Sequence, residues 1–178
     1  MIKVFYFLIF IISMLLFQFC DDNSSKNENP QNIDLSKTKE QLVKANNYLK
    51  RTEENEINGY IERHKWEMQK TNTGVRYFIY KKEKGERAIL GKIVKLNYTL
   101  DLIDGTNCYS SGKDGSKIFK IGEGKVEAGL DEAIQLLCKG DKAKIIIPSY
   151  LGFGLLGDNK KIPKRATLIY DVELVDMK

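Results

Sequence analysis

Residues 162–178, IPKRATLIYDVELVDMK, constrain the fold more than any other stretch of this 178-residue chain. A turn at Pro163 feeds directly into an alternating run of β-formers. Leu168, Tyr170, Val172 and Leu174 fall on one side, and Thr167, Ile169, Asp171 and Glu173 on the other. A period of two over this length predicts a strand with one face in the core.

Other segments precede it in a consistent order. VKLNYTLDL at 94–102 is followed by Asp104-Gly105 and then by Ser110-Ser111. FKIG at 119–122 precedes VEAGL at 126–130, and GDKAKIIIP at 140–148 precedes LGFG at 151–154. With ATLIYDVEL at 166–174, these segments resemble the FK506-binding-protein (FKBP) family of peptidyl-prolyl cis-trans isomerases over residues 90–176. The resemblance implies an α+β fold: an antiparallel half-barrel sheet wrapped around one short helix. Here an N-terminal helical arm precedes it.

A chain of this length holds one ordinary domain plus accessories. Its net charge of +5 is modest, acids and bases are interspersed, and no basic-and-aromatic stripe stands out. Nucleic acid is therefore not expected as a partner. The apolar residues are densest at the start. In residues 1–20, MIKVFYFLIFIISMLLFQFC, Lys3 precedes an apolar run from Val4 to Phe17, and polarity rises at Asp21-Asp22. The run has the length of a secretory apolar region and is short of the roughly 20 residues of a membrane span. Ending at a cysteine, it is similar to a bacterial lipoprotein signal. That likeness implies lipid attachment at Cys20 and a domain tethered to the bacterial cell envelope, outside the cytoplasm. An uncleaved N-terminal anchor is the alternative.

Four parts follow: a signal at 1–20, a flexible tether at 21–33, a helical arm at 34–70 and the isomerase domain at 71–178. Residues 21–32 of the tether, DDNSSKNENPQN, include no apolar residue to bury. In the arm, Leu35, Leu42, Ala45 and Leu49 fall near one face, and Ile57, Tyr60, Ile61 and Met68 continue the helical spacing to about Gln69. Asp34 is placed to cap its start. Gly59 weakens or bends the middle by about 1 kcal/mol relative to alanine, so the arm is one long helix or two shorter ones. Its apolar stripe is thin. Either it packs on the domain or stands in solvent, or it serves as a homodimer or partner arm. Residues 75–80 read as the first strand of a domain that carries its own strands and is expected to fold without the arm. Residues 81–91 read as a charged turn.

Cys108 and Cys138 are either a disulfide pair, which an exported compartment permits, or two separate thiols. The lone His64 has no cysteine or histidine at a zinc-like interval and reads as a surface residue. No phosphate loop or nucleophile elbow is present, and no cofactor is expected.

The reaction implied by the resemblance is rotation about a Xaa–Pro amide, whose barrier of roughly 18–20 kcal/mol arises from partial double-bond character. No bond breaks, so a water-poor cavity that favours the twisted amide suffices. By the resemblance, Tyr98 and Phe119 stand on the cavity wall, and Val126 and the Glu127 backbone hold the substrate, the Glu127 N–H donating to its carbonyl. Leu130 lies at the floor where a tryptophan is common. Phe153 replaces a loop tyrosine, and Ile162 and Tyr170 complete the wall. Cys108-Tyr109 depart from a Phe-Asp pair, and Lys117 and Lys161 stand near the rim where apolar residues are usual. These changes are expected to remove polar contacts and leave a hydrophobic cleft, with reduced or altered catalysis.

Two functions are compatible with this reading. One is a membrane-tethered isomerase for exported proteins with Xaa-Pro bonds. The other is a non-catalytic module that grips Pro-containing segments. The order of signal, arm and domain is similar to the gliding-motility-associated isomerase lipoproteins.

Overall fold

The structure, a computed structural model, describes residues 35–178. The signal, Cys20, the tether and the Asp34 cap lie outside the described residues. Helix α1 (Leu35–His64) is a single helix that Gly59 does not divide. It stops short of the expected end near Gln69 because Lys65 takes a left-handed conformation, φ 54. Lys65 N–H donates to the Glu62 carbonyl (3.1 Å) and Trp66 N–H to the Ile61 carbonyl (3.2 Å). This pair of bonds satisfies carbonyls at the helix end and turns the chain away. His64 lies exposed in the last turn and stacks on Tyr60, with ring centroids 4.0 Å apart.

The remainder forms one antiparallel sheet. Its strands are β1 (Gln69–Lys70), β2 (Arg76–Lys81), β3 (Ile93–Leu102), β4 (Asn107–Ser110), β5 (Lys117–Lys120), β6 (Lys142–Ile147) and β7 (Leu168–Met177). They run in the order β1-β2-β6-β7-β3-β4, with β5 also paired to β3. A one-turn helix, α2 (Ser111–Asp114), follows β4, and α3 (Ala128–Ile134) packs against β6. The close approach of α3 depends on Gly129, where an added Cβ would lie 2.4 Å from Ile147 Cγ2. Leu130, Ala133 and Ile134 of α3 are buried in the main core.

Leu168, Tyr170, Val172 and Leu174 all point into that core, as the period of two requires. Val175 is then an extra residue: Leu96 pairs with Leu174, but Lys95 pairs with Asp176. The bulge resets the alternation, and Met177 is buried in place of Asp176.

The outward face of β7 is not wholly solvated. Ile169 is 4% exposed and Ile57 of α1 is 1% exposed. They meet Ile146 in a second core, flanked by Tyr60, Ile61, Trp66 and Met68. Polar contacts reinforce this packing. Glu53 accepts from the Ser149 N–H (2.6 Å), the Ser149 hydroxyl (3.0 Å) and the Thr167 hydroxyl (2.8 Å). Glu54 pairs with buried Arg76 and with Lys70. The later half of α1 therefore packs on the sheet ahead of Thr71, where the domain was expected to start. In the earlier half of the same helix, Leu42, Val43, Tyr48 and Leu49 are exposed. Cys108 and Cys138 are free thiols, the first buried.

Candidate active site

Two adjoining clefts share Lys117, Glu127 and Phe153. One, of about 450 Å³, adds Gly124, Lys125, Val126 and Gly152. The other, of about 330 Å³, adds Tyr98, Leu100, Tyr109, Asp158 and Lys160. A larger cleft, of about 590 Å³, lies among Glu67, Tyr77, Cys138 and Asp141 and includes none of the expected site residues.

The walls come from distant parts of the chain. Strand β3 supplies Tyr98, whose backbone N–H donates to Ser111 Oγ (3.1 Å). The loop after β5 supplies Val126 and Glu127. It turns at Gly122 (φ 87), whose N–H donates to both Asp131 oxygens at 3.0 and 3.1 Å, so the loop is tied to α3. Glu127 stands at the start of α3, and its carbonyl accepts from Leu130 and Asp131. Phe153 follows the 3₁₀ turn Ser149–Leu151, which Glu53 of α1 holds by the Ser149 backbone.

Tyr98 is 8% exposed and Tyr170 is fully buried, with their ring centroids 6.0 Å apart. Leu130 and Ile162 are buried in the same core, and Ile162 faces a neighbouring cleft near Pro163. Phe119 is also buried and lines neither of the two site clefts. Lys117 shares a face with Phe119, and it is Lys117 that enters both clefts. The aromatic expected on this wall is thus a layer of core packing, and a lysine stands in the wall.

The cleft is also not simply hydrophobic, as it was expected to be. The Glu127 side chain is only 4% exposed. The Tyr170 hydroxyl donates to its Oε1 at 2.9 Å, and Lys117 Nζ lies 3.7 Å from the same oxygen. The other oxygen, Oε2, is buried with no hydrogen-bond partner. The Lys117 ammonium also sits 5.2 Å from the Tyr98 ring centroid and 5.8 Å from that of Tyr170. Lys117 is therefore not a rim residue but an occupant of the site. Burial, the Glu127 charge and its hydrogen bond push the Tyr170 hydroxyl far above the ordinary tyrosine range. Burial, then the charges of Asp114 and Glu127, push Tyr98 upward as well.

At the edge, the Tyr109 hydroxyl donates to Asp158 Oδ2. Asp158 Oδ1 also accepts from the backbone N–H of Lys160 (2.9 Å) and Ile162 (2.8 Å). Partial burial raises the Asp158 pKa, but the Tyr109 hydroxyl and these N–H groups outweigh it and hold the carboxyl below its ordinary range. The bond to Asp158, followed by burial, pushes the Tyr109 hydroxyl up to about 12. Lys161 donates to the Cys108 carbonyl (2.7 Å) and lies 4.7 Å from the Tyr109 ring centroid. The carboxylate missing at position 109 is thus replaced from another loop, by Asp158.

A family-wide comparison matches residues 84–175 to FKBP-type peptidyl-prolyl cis-trans isomerase. The chain belongs to this family. It is 41% identical over 86 residues to peptidyl-prolyl cis-trans isomerase FKBP2 of Mus musculus, covering 48% of this chain and 61% of that protein. It is 44% identical over 94 residues to isomerase FPR2 of Saccharomyces cerevisiae, covering 52% of this chain and 70% of that one. The crystal structure of AtFKBP13 superposes with a TM-score of 0.60 at 27% identity, covering 63% of this chain and 99% of that chain. The chain spans about three-fifths of the length of the FKBP2 relatives it matches.

The FKBP match begins at residue 84, so α1 and its docking residues Glu53, Glu54 and Ile57 lie before it. Sequence reasoning named Glu127 for its backbone and missed its side chain, and it missed Asp158 altogether. No local signal marked the first, because its partner Tyr170 lies 43 residues away. An Asx-type turn at Asp158-Asn159-Lys160 was the signal for the second.

Proposed function

We propose that this FKBP chain is a membrane-tethered peptidyl-prolyl cis-trans isomerase that assists the folding or assembly of exported proteins. The observation that carries the reading is the cleft itself. In an FKBP-type domain, Tyr98, Val126, Glu127 and Phe153 line two adjoining clefts that share Glu127 and Phe153, with Tyr170 and Leu130 buried in the core. A prolyl amide held there meets ring faces and few waters. The planar amide, with its separated charge, loses more solvation than the twisted one. A donor directed at the prolyl nitrogen takes up the lone pair released on twisting, and the Tyr98 hydroxyl is a donor at hand. Each ten-fold acceleration requires about 1.4 kcal/mol, so modest differential contacts are enough.

Export and tethering rest on the apolar run before Cys20 and the polar stretch after it. The clients are then exported chains with Xaa-Pro bonds, and assembly of gliding-motility components is the narrower role. The exposed Leu42, Val43, Tyr48 and Leu49 on α1 support a homodimer or client-binding use of the arm. A refolding experiment tests the function: catalytic amounts of the protein accelerate the proline-limited slow phase of an unfolded client. Loss of that phase's dependence on enzyme concentration would refute it. Mass spectrometry of the mature protein tests the anchor, with an acylated Cys20 as the new first residue. Retention of residues 1–19 with no acyl mass would replace it with an uncleaved anchor.

A second reading, a binding module without turnover, is favoured by one observation. The charged Lys117–Glu127 pair stands where a prolyl ring must enter.

A further inference from the structure

The geometry points to a cation-selecting subsite inside the cleft: Glu127, Tyr98 and Tyr170 form a cage that prefers Xaa-Pro segments with a lysine or arginine beside the proline. This rests on the isomerase cleft proposed above and adds the substrate class.

Glu127 is buried, its Oε1 accepts from Tyr170 (2.9 Å), and its Oε2 has no partner. A buried carboxylate oxygen without a donor is unfavourable, so the site has unused acceptor capacity. Two tyrosine rings flank it, and a cation near ring faces and a carboxylate is attracted by both. The cage already holds such a group. The Lys117 ammonium lies 5.2 and 5.8 Å from the two ring centroids and 3.7 Å from Oε1, a separation too long for a hydrogen bond. Its side chain is 26% exposed and ends a flexible stem, so it can leave toward solvent.

A segment that enters the cleft displaces Lys117. A neutral or acidic side chain would leave Glu127 buried without a counter-charge, which is strongly unfavourable. A lysine or arginine side chain restores the charge and can donate to Oε2 as well. The edge lysines Lys125 and Lys160 act in the opposite sense, drawing acidic segments. They stand at solvent, and salt screens them far more than it screens the buried carboxylate.

The test measures kcat/KM of the full chain on Xaa-Pro peptides whose flanking residues are Lys, Leu or Glu, at two salt concentrations. The lysine peptide is expected to exceed the glutamate peptide by about tenfold, with the ratio rising at high salt. Glu127→Gln, which keeps the shape and removes the charge, collapses the ratio to about twofold or less. Should that variant fail to fold, Lys117→Met serves, because deleting the resident ammonium widens the preference for lysine. Equal rates on the three peptides, a ratio unchanged in Glu127→Gln, or one unchanged in Lys117→Met would overturn the subsite. Absence of turnover on every peptide would refute the isomerase reading, and fluorescence titration of the same peptides then decides the subsite by affinity. Lysine-peptide affinity that falls in Glu127→Gln supports it, and no preference, or no binding, overturns it.

Discussion

Asp158 brings a carboxylate to the cleft edge, beside Tyr109. Its carboxylate gathers the Tyr109 hydroxyl and the N–H groups of Lys160 and Ile162, and so fixes the loop that carries Lys160, Lys161 and Ile162. Its pKa is lowered in the folded state, so the ionised form is bound more tightly there than in the unfolded chain. The stability this contributes is present above the ordinary aspartate range and is lost as pH falls below about 4. Asp158→Asn should therefore reduce the acid dependence of the melting temperature between pH 3 and 7 relative to wild type. Thermal unfolding across that range checks it, and parallel curves for the two proteins would contradict the role. Replacing Tyr109 with aspartate is expected to destabilise the edge, since it would set a second carboxylate beside Asp158. Residue-by-residue likeness placed Tyr98, Val126, Glu127 and Phe153 at the cleft. It did not place the Lys117 ammonium or the Glu127 carboxylate, because side-chain direction depends on partners such as Tyr170 that lie far off in the chain.

Helix α1 illustrates how a thin apolar stripe misleads. Hydrophobic spacing captures only part of its role: much of the docking is polar, through Glu53 and Glu54, and Ile57 alone is fully buried among the helix residues whose burial is described. Those partners lie 96 and 114 residues away in Ser149 and Thr167, which no local pattern reveals. Ile57→Ala should cost about 2–5 kcal/mol. Glu53→Ala leaves the buried Ser149 and Thr167 donors without this acceptor and should cost about 1–3 kcal/mol. A protein starting at Thr71 loses both sets of contacts and exposes Ile146 and Ile169, so its urea midpoint should fall well below that of a protein starting at Leu35. Equal midpoints would show that the helix is an appendage. Because Glu53 also holds the turn before Phe153, Glu53→Ala should weaken the cleft's function at temperatures where the protein remains folded.

Across the whole molecule, the legible features were those encoded locally. The alternation in 168–174 is such a feature, and it belongs to a set of segments whose order already resembled the family. The bulge at Val175, the second core beneath α1 and the charged interior of the cleft arise from pairings between remote segments. Position and charge therefore diverge. Tyr98, Val126, Glu127 and Phe153 line the clefts, and the Lys117 ammonium and the Glu127 carboxylate stand among them.

Catalysed isomerisation tests the account most directly. Two-dimensional exchange NMR on a Xaa-Pro peptide, with the full chain at catalytic concentration, reads the cis–trans rate without a coupled protease. Wild type should give exchange proportional to enzyme concentration. Tyr98→Ala, which removes a ring from the cleft wall, should lower that rate by about ten- to a hundred-fold, equivalent to roughly 1.4–2.8 kcal/mol of lost transition-state stabilisation. Exchange no faster than in buffer for wild type, or a folded Tyr98→Ala that retains the full rate, would contradict it.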